Sequence, residues 1–177
     1  MTTYTHAIAS IYGSISSRWN FKIKPYVLIA LALVIFLVIQ HYYNIHWGVL
    51  TELQKNGLYK QFTGILLFLL VAQQWQLAYV RLAGRKTGAG PLILSHKWRG
   101  VICPAFIFLH TAQMGYGHQF ALWTAFIGTL LVGLFSFHEI KLRSKWFANA
   151  WTIVHVSLAV LLPPLMLYHA YISYVYS

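Results

Sequence analysis

Five apolar runs, each near or above the length needed to cross a bilayer, confine this chain to few folds. They are Tyr26–Tyr43, Phe62–Val80, Leu92–Met114, Phe120–Phe137 and Ala150–Tyr174. About 18 residues of helix or more span roughly 30 Å of hydrocarbon. In that medium every backbone N–H and C=O must be bonded within the protein, so a single spanning run is read as a helix. The expected fold is an all-α membrane protein, a bundle of five transmembrane helices. Only 8% of residues are charged and 59% are hydrophobic, against roughly a quarter charged in soluble domains. The 177 residues suit one bundle, so residues 26–177 are expected to form a single transmembrane domain. Residues 1–25 are expected to be a separate tail or interfacial helix.

Charge orients the bundle. Arg18, Lys22 and Lys24 precede the first run. Arg81, Arg85, Lys86, Lys97 and Arg99 flank the junction of the second and third, and Lys141, Arg143 and Lys145 join the fourth to the fifth. Lys55 and Lys60 alone fall on the other side, so 11 of 13 basic residues share one side. The positive-inside rule makes that side cytoplasmic. The amino terminus is then inside and the carboxyl terminus outside, and an integral protein of a bacterial cytoplasmic (inner) membrane is expected. The net charge of +11 follows the topology, so nucleic acid is not an expected partner; the lipid bilayer is. The apolar run starts after Pro25 and no small-residue cleavage site follows it, so no secretory signal is expected. Ile8, Ile11, Ile15 and Trp19 recur at helical spacing. That stripe suits a helix lying on the membrane or docking a partner, and an ordinary tail accounts for it equally well. The lone Cys103 permits no intrachain disulfide and is read as a packing residue.

Four histidines carry the chemistry. His96 and His110 stand 14 residues apart in the third run, as do His155 and His169 in the fifth. Fourteen residues advance about 21 Å along a helix and turn it to within about 40° of the starting face. Both runs travel from inside to outside. Pairing by depth therefore gives an inner set, His96 with His155, and an outer set, His110 with His169. Two neutral imidazoles facing each other across a gap are what a six-coordinate haem iron requires. Two haems b are the expected cofactors, with inner iron on His96 and His155 and outer iron on His110 and His169. Bis-histidine ligation leaves no open position, which favours electron transfer over chemistry at iron. Interfacial or hydrogen-bonded core histidines are the bland alternative.

Neighbouring residues add candidates. Gly100, one turn beyond His96, leaves room for a flat macrocycle, as does Gly115 after His110; close helix packing explains small residues equally well. Arg99, with Arg81, Arg85 and Lys97, is placed to pair with propionates, although topology also accounts for these charges. Gln73, Gln74 and Gln76 form a polar patch facing a haem edge, a quinone, a partner or, most simply, another helix. Pro163 and Pro164 predict a kink between His155 and His169, and Pro104 a milder one. His118 is read as a solvated loop histidine, with an exit site shared with Gln113 and Tyr116 as the sharper alternative. His6, His41, His46 and His138 have no assigned role beyond their helix ends and loops.

SHKWRGVICPAFIFLHTAQMGYG (Ser95–Gly117) and FSFHEIKLRSKWFANAWTIVHVSLAVLLPPLMLYHAYISY (Phe135–Tyr174) resemble the third helix, and the fourth-helix end, basic loop and fifth helix, of the ferric-reductase-like transmembrane domain family. That family includes NADPH oxidases, iron reductases and the haem subunit of bacterial methionine sulfoxide reductase. The resemblance covers roughly residues 62–174. It includes the basic residues and glycine after the first histidine (Lys97, Arg99, Gly100) and a tryptophan before the third (Trp151). It implies that His96, His110, His155 and His169 are haem ligands, with Arg99 and Gly100 beside the cofactor. Many members have a sixth span, whereas this chain ends after the fifth run. Many also continue into a flavin and nicotinamide module, and no glycine-rich dinucleotide loop occurs here. Electrons are therefore expected from a separate flavoprotein or from quinol.

The expected function is transmembrane electron relay by a dihaem cytochrome b subunit between separate donor and acceptor proteins, or quinone. Cytoplasm-to-outside flow is what the resemblance implies. Two alternatives stand beside it. One is a stand-alone membrane reductase acting on ferric iron, oxygen or quinone. The other is a haem-free transporter or assembly subunit whose histidines carry protons or bind a metal.

Overall fold

The structure is a computed structural model that describes residues 24–84, 89–135 and 144–176. The amino-terminal stripe, Arg85, Lys86, His138 and the charges at 141 and 143 lie outside those residues. The described residues are all-helical: α1 (Pro25–Tyr43), α2 (Val49–Leu53), α3 (Gly57–Leu82), α4 (Ala89–His110), α5 (His118–Leu134) and α6 (Lys145–Val175). Four stretches are long and apolar enough to cross a membrane: Pro25–Tyr43, Gly57–Leu82, Gly90–His110 and Lys145–Val175. The fourth apolar run gives the shorter helix α5, 17 residues, or about 26 Å at 1.5 Å per residue.

Local signals set the helix ends. Pro25 opens α1, where its missing N–H costs nothing, and Asn44 closes it in the left-handed region at φ 47°. Asn56 caps α3 by accepting from the Tyr59 N–H at 3.1 Å. The third apolar run reaches Met114, but α4 stops at His110. There Thr111 folds its hydroxyl onto the Gln113 carbonyl, and Gly115 turns the chain at φ 70°.

α3 and α4 pack extensively as one hairpin, and α5 and α6 as another; α1 lies along α4. The two hairpins touch only lightly, α3 on α6 and α4 on α5. The core is accordingly off-centre. Tyr26, Ala30 and Val34 of α1 meet Val101 of α4 and Ile127, Leu130 and Leu134 of α5. A smaller cluster joins Val71, Ala125 and Leu162 between α3, α5 and α6. Between the hairpins an apolar cavity of about 360 Å³ is lined by Phe68, Val71, Ala72, Trp75 and Pro163. Outward-facing Ile65, Leu69, Ile153 and Leu167 are exposed, as helix faces that contact lipid must be.

The end carrying the Gly115 turn is closed by polar side chains. Gln40 is fully buried and satisfied: its Nε2 donates to the Ile45 carbonyl at 2.8 Å, and its Oε1 accepts from Trp47 Nε1 at 2.5 Å. Gln54 donates to the Phe108 carbonyl at 2.6 Å, near the end of α4. The Gln113 amide bonds Asn44. These bonds hold α1 and α4 at common depth before the site is reached.

Proline does not break the ligand helices. α4 runs through Pro104 and α6 through Pro163 and Pro164 without interruption. Any bend they introduce leaves the register between the two helices intact, as the ring geometry below demonstrates.

Candidate functional site

α4 and α6 run in the same direction, because each is separated from the other by one antiparallel helix. His96 and His155 therefore meet at one level, their ring centres 6.3 Å apart and their planes 77° from parallel. His110 and His169 meet at the other, 6.2 Å apart and 84° from parallel. All four rings are half-buried. The depth pairing expected from the spacing is the pairing the fold makes.

Each α4 histidine is held by a side chain from α3. Thr63 Oγ1 lies 2.9 Å from His110 Nδ1. The same hydroxyl donates its single proton to the Tyr59 carbonyl at 2.8 Å. The Lys60 carbonyl lies 3.2 Å from the same hydroxyl; with the hydroxyl proton on a carbonyl, Oγ1 accepts from His110 Nδ1–H, the tautomer that leaves a lone pair on Nε2. Gln74 approaches His96 in the same way, 2.7 Å from Nδ1. With its amide turned to suit the backbone, Gln74 donates to the His96 carbonyl at 3.0 Å and accepts from the Gly100 N–H at 2.7 Å. That orientation also donates to Nδ1, which puts the ring proton on Nε2. A ligand lone pair at Nε2 requires the opposite amide orientation, with Oε1 accepting from Nδ1–H.

The α6 histidines are held differently. The Trp151 ring, one turn before His155, stacks on it with centres 5.1 Å apart and planes within 9°. Trp151 Nε1 donates to the Val132 carbonyl at 2.7 Å and so ties the stack to α5. Nδ1 of His155 and Nδ1 of His169 are buried with no hydrogen-bond partner among the described residues.

Two glycines that the spacing argument did not single out lie against the rings. A Cβ on Gly64 would stand 3.3 Å from His110 Cε1, and one on Gly133 would stand 3.1 Å from His155 Cε1. Their missing side chains let α3 and α5 approach the ligand rings. Glycine inside an apolar helix costs about 1 kcal/mol against alanine, and that cost was the sequence signal available for them. Gly100 has a different neighbourhood. A Cβ there would meet Gln74 at 3.7 Å and Leu130 at 3.9 Å, so it serves helix packing beside His96. Gly115 belongs to the turn, where a Cβ would collide with Gln119.

Arg99 faces α3. Its guanidinium donates to Ser95 Oγ at 2.8 Å, the Gln73 carbonyl at 2.7 Å and Gln76 Oε1 at 3.1 Å. Lys97 donates to Tyr26 Oη at 3.1 Å. Both charges therefore join helices near the level of the His96 pair. Two of the three glutamines, Gln73 and Gln76, belong to this network, and Gln74 belongs to His96.

His118 departs from the solvated-loop expectation. It begins α5 and is half-buried, and its Nε2 is buried without a hydrogen-bond partner among the described residues. Its ring centre lies 5.7 Å from that of His169 and 5.3 Å from Tyr168. His41, in the last turn of α1, accepts from the Met114 N–H at 3.4 Å.

Among the described residues no group of three or more His, Cys, Asp and Glu side chains is placed to hold a metal ion. Glu52 is paired with Lys55 at 2.7 Å, away from the histidines. The site thus offers two adjacent imidazoles at each of two levels, with His118 beside the His169 ring at one of them. No family profile, curated protein or solved structure matches the chain.

Proposed function

We propose that this chain is a bis-histidine dihaem cytochrome b that relays electrons across a membrane. The observation that carries the proposal is the separation of the paired rings. A metal–imidazole bond of about 2.0–2.1 Å on each side, plus about 1.1 Å from each donor nitrogen to its ring centre, puts trans ring centres about 6.3 Å apart. The observed separations are 6.3 Å and 6.2 Å. Edge-to-face ring pairs in general span about 4.5–7 Å, so the separation supports the proposal together with its repetition at two levels.

The donor set points the same way. A bare ion held by protein usually takes three or four side-chain ligands, and each level offers two. A porphyrin brings the remaining four donors and needs only the two axial ones. When bound, haem supplies reversible one-electron chemistry, and with both axial positions filled it does so without an open site.

The protein's own residues set the ligands. Thr63 favours the ligand tautomer of His110, and Gln74 does so for His96 in the orientation that presents Oε1 to Nδ1. Trp151 holds the plane of His155, while Gly64 and Gly133 keep neighbouring backbones clear. α5 serves as the fifth span in this reading. With basic residues inside, the amino terminus is cytoplasmic, the carboxyl terminus is outside and the His96 pair is the inner one. Electrons come from a separate flavoprotein or quinol and leave to an acceptor at the other face, in keeping with the ferric-reductase-like resemblance. A pyridine haemochrome assay on the purified chain tests this: two b haems per chain support it, and none under full haem supply contradicts it.

A further inference from the structure

The four ligand rings are unequally supported at Nδ1. His110 has Thr63 and His96 has Gln74. His155 Nδ1 and His169 Nδ1 have no partner among the described residues. At the outer level, however, a third buried nitrogen is also unsatisfied, Nε2 of His118. The His118 ring lies against the His169 ring, centres 5.7 Å apart and planes 40° from parallel. A buried polar atom left unpaired costs about 1–3 kcal/mol. Two such atoms on touching rings relieve both costs with one bond.

Resting on the dihaem reading, we propose that His118 is the positioning residue that holds His169 as an iron ligand, accepting the His169 Nδ1 proton at its own Nε2. An N–H···N bond of about 2.9 Å with both nitrogens on the line between the rings would set the centres about half an ångström closer than observed. A small rotation of His118 closes that gap.

Proton placement allows one useful arrangement. With His169 protonated at Nδ1 and His118 at its own Nδ1, the His169 Nε2 lone pair is free for iron. The reverse donation would put the His169 proton on Nε2 and block ligation. Local structure supports the fixed position: Gly117 turns the chain at φ 58° directly before His118. Tyr168 also packs edge-on against the His118 ring, centres 5.3 Å apart and planes 84° from parallel.

A hydrogen-bond acceptor on a ligand imidazole makes the ligand more basic and favours the oxidised metal. Both outer ligands then have an acceptor, Thr63 and His118. Losing His118 should therefore make the outer haem easier to reduce.

The test is a potentiometric titration of the purified full-length protein with its haems, with the outer haem assigned as the one lost in His169→Ala. His118→Ala should raise the reduction equilibrium constant of the outer haem about tenfold, about 59 mV for one electron, and move its low-spin ferric spectrum. The inner haem should not move. His118→Gln, whose amide carbonyl can accept the same proton, should return the outer haem toward wild type. Loss of the outer haem in His118→Ala with recovery in His118→Gln also supports the assignment. An outer haem unchanged in His118→Ala overturns it, as do equal shifts at both haems or loss of the outer haem in both variants. A wild-type chain without haem instead overturns the dihaem reading itself, and that result is visible before any variant is made.

Discussion

Thr63 gives its only hydroxyl proton to the Tyr59 carbonyl and turns a lone pair to His110 Nδ1, 2.9 Å away. That arrangement suits the His110 tautomer whose Nε2 lone pair is free. Removing such a partner typically costs 10–100-fold in metal affinity. Thr63→Val should therefore weaken the outer haem by about that factor and leave the inner one intact, whereas Thr63→Ser should bind like wild type. Haem titration of the apoprotein measures both, and equal weakening by Val and Ser would remove the tautomer argument.

Gly133 should tolerate no side chain. A Cβ there stands 3.1 Å from His155 Cε1, and that ring is clamped on its face by Trp151. Overpacking of this kind costs about 1–3 kcal/mol. Gly133→Ala should lower inner haem occupancy. Gly128→Ala, whose Cβ would meet Leu158 at an ordinary 3.5 Å, should not. Absorbance per protein in the two variants decides, and equal occupancy would mean that the α5 backbone does not limit the ligand.

Trp151 both stacks on His155 and bonds the Val132 carbonyl. Trp151→Phe keeps a ring and loses the bond, which should cost about 1 kcal/mol of stability. Trp151→Leu loses both and should also broaden the inner haem's ferric spectrum as the His155 plane is freed. Matching spectra for Leu and Phe would show that the stack does not orient the ligand.

Gln40 bears on stability alone. It is buried with two good hydrogen bonds, so Gln40→Leu strands Trp47 Nε1 and the Ile45 carbonyl. A loss of about 1–3 kcal/mol follows and should appear as a lower unfolding midpoint in detergent. Gln61→Leu, at an exposed position, should change it little. Equal midpoints for the two variants would count against the closing role of Gln40.

Much of this arrangement is legible in the chain. The apolar runs locate the helices, and the repeated 14-residue spacing places four rings at two levels. Depth alone pairs them, because helix rise is regular enough to survive three internal prolines. The residues around the rings are not legible in the same way. Gly64, Thr63 and Gln74 act across a helix interface, and the rotation of α3 about its own axis is not encoded in any local spacing. Gly100 and Arg99 lie one turn from His96 on the same side of α4, yet the groups they meet are Gln73, Gln74 and Gln76 of α3. His118 looks like a loop residue because it follows two glycines, while the turn those glycines make sends its ring back to His169. Helix α5 is shorter than its apolar run because described helix ends at Leu134, before residues 136–143.

Two iron sites at two depths make one demand that alternatives do not share: the members of a pair must act on the same haem. Potentiometric and spectral titration of His96→Ala, His155→Ala, His110→Ala and His169→Ala reads this directly. The predicted result is that His96→Ala and His155→Ala lose one and the same haem, that His110→Ala and His169→Ala lose the other, and that the wild type holds two. Loss of different haems within a pair, or a wild-type protein that binds none, would contradict it.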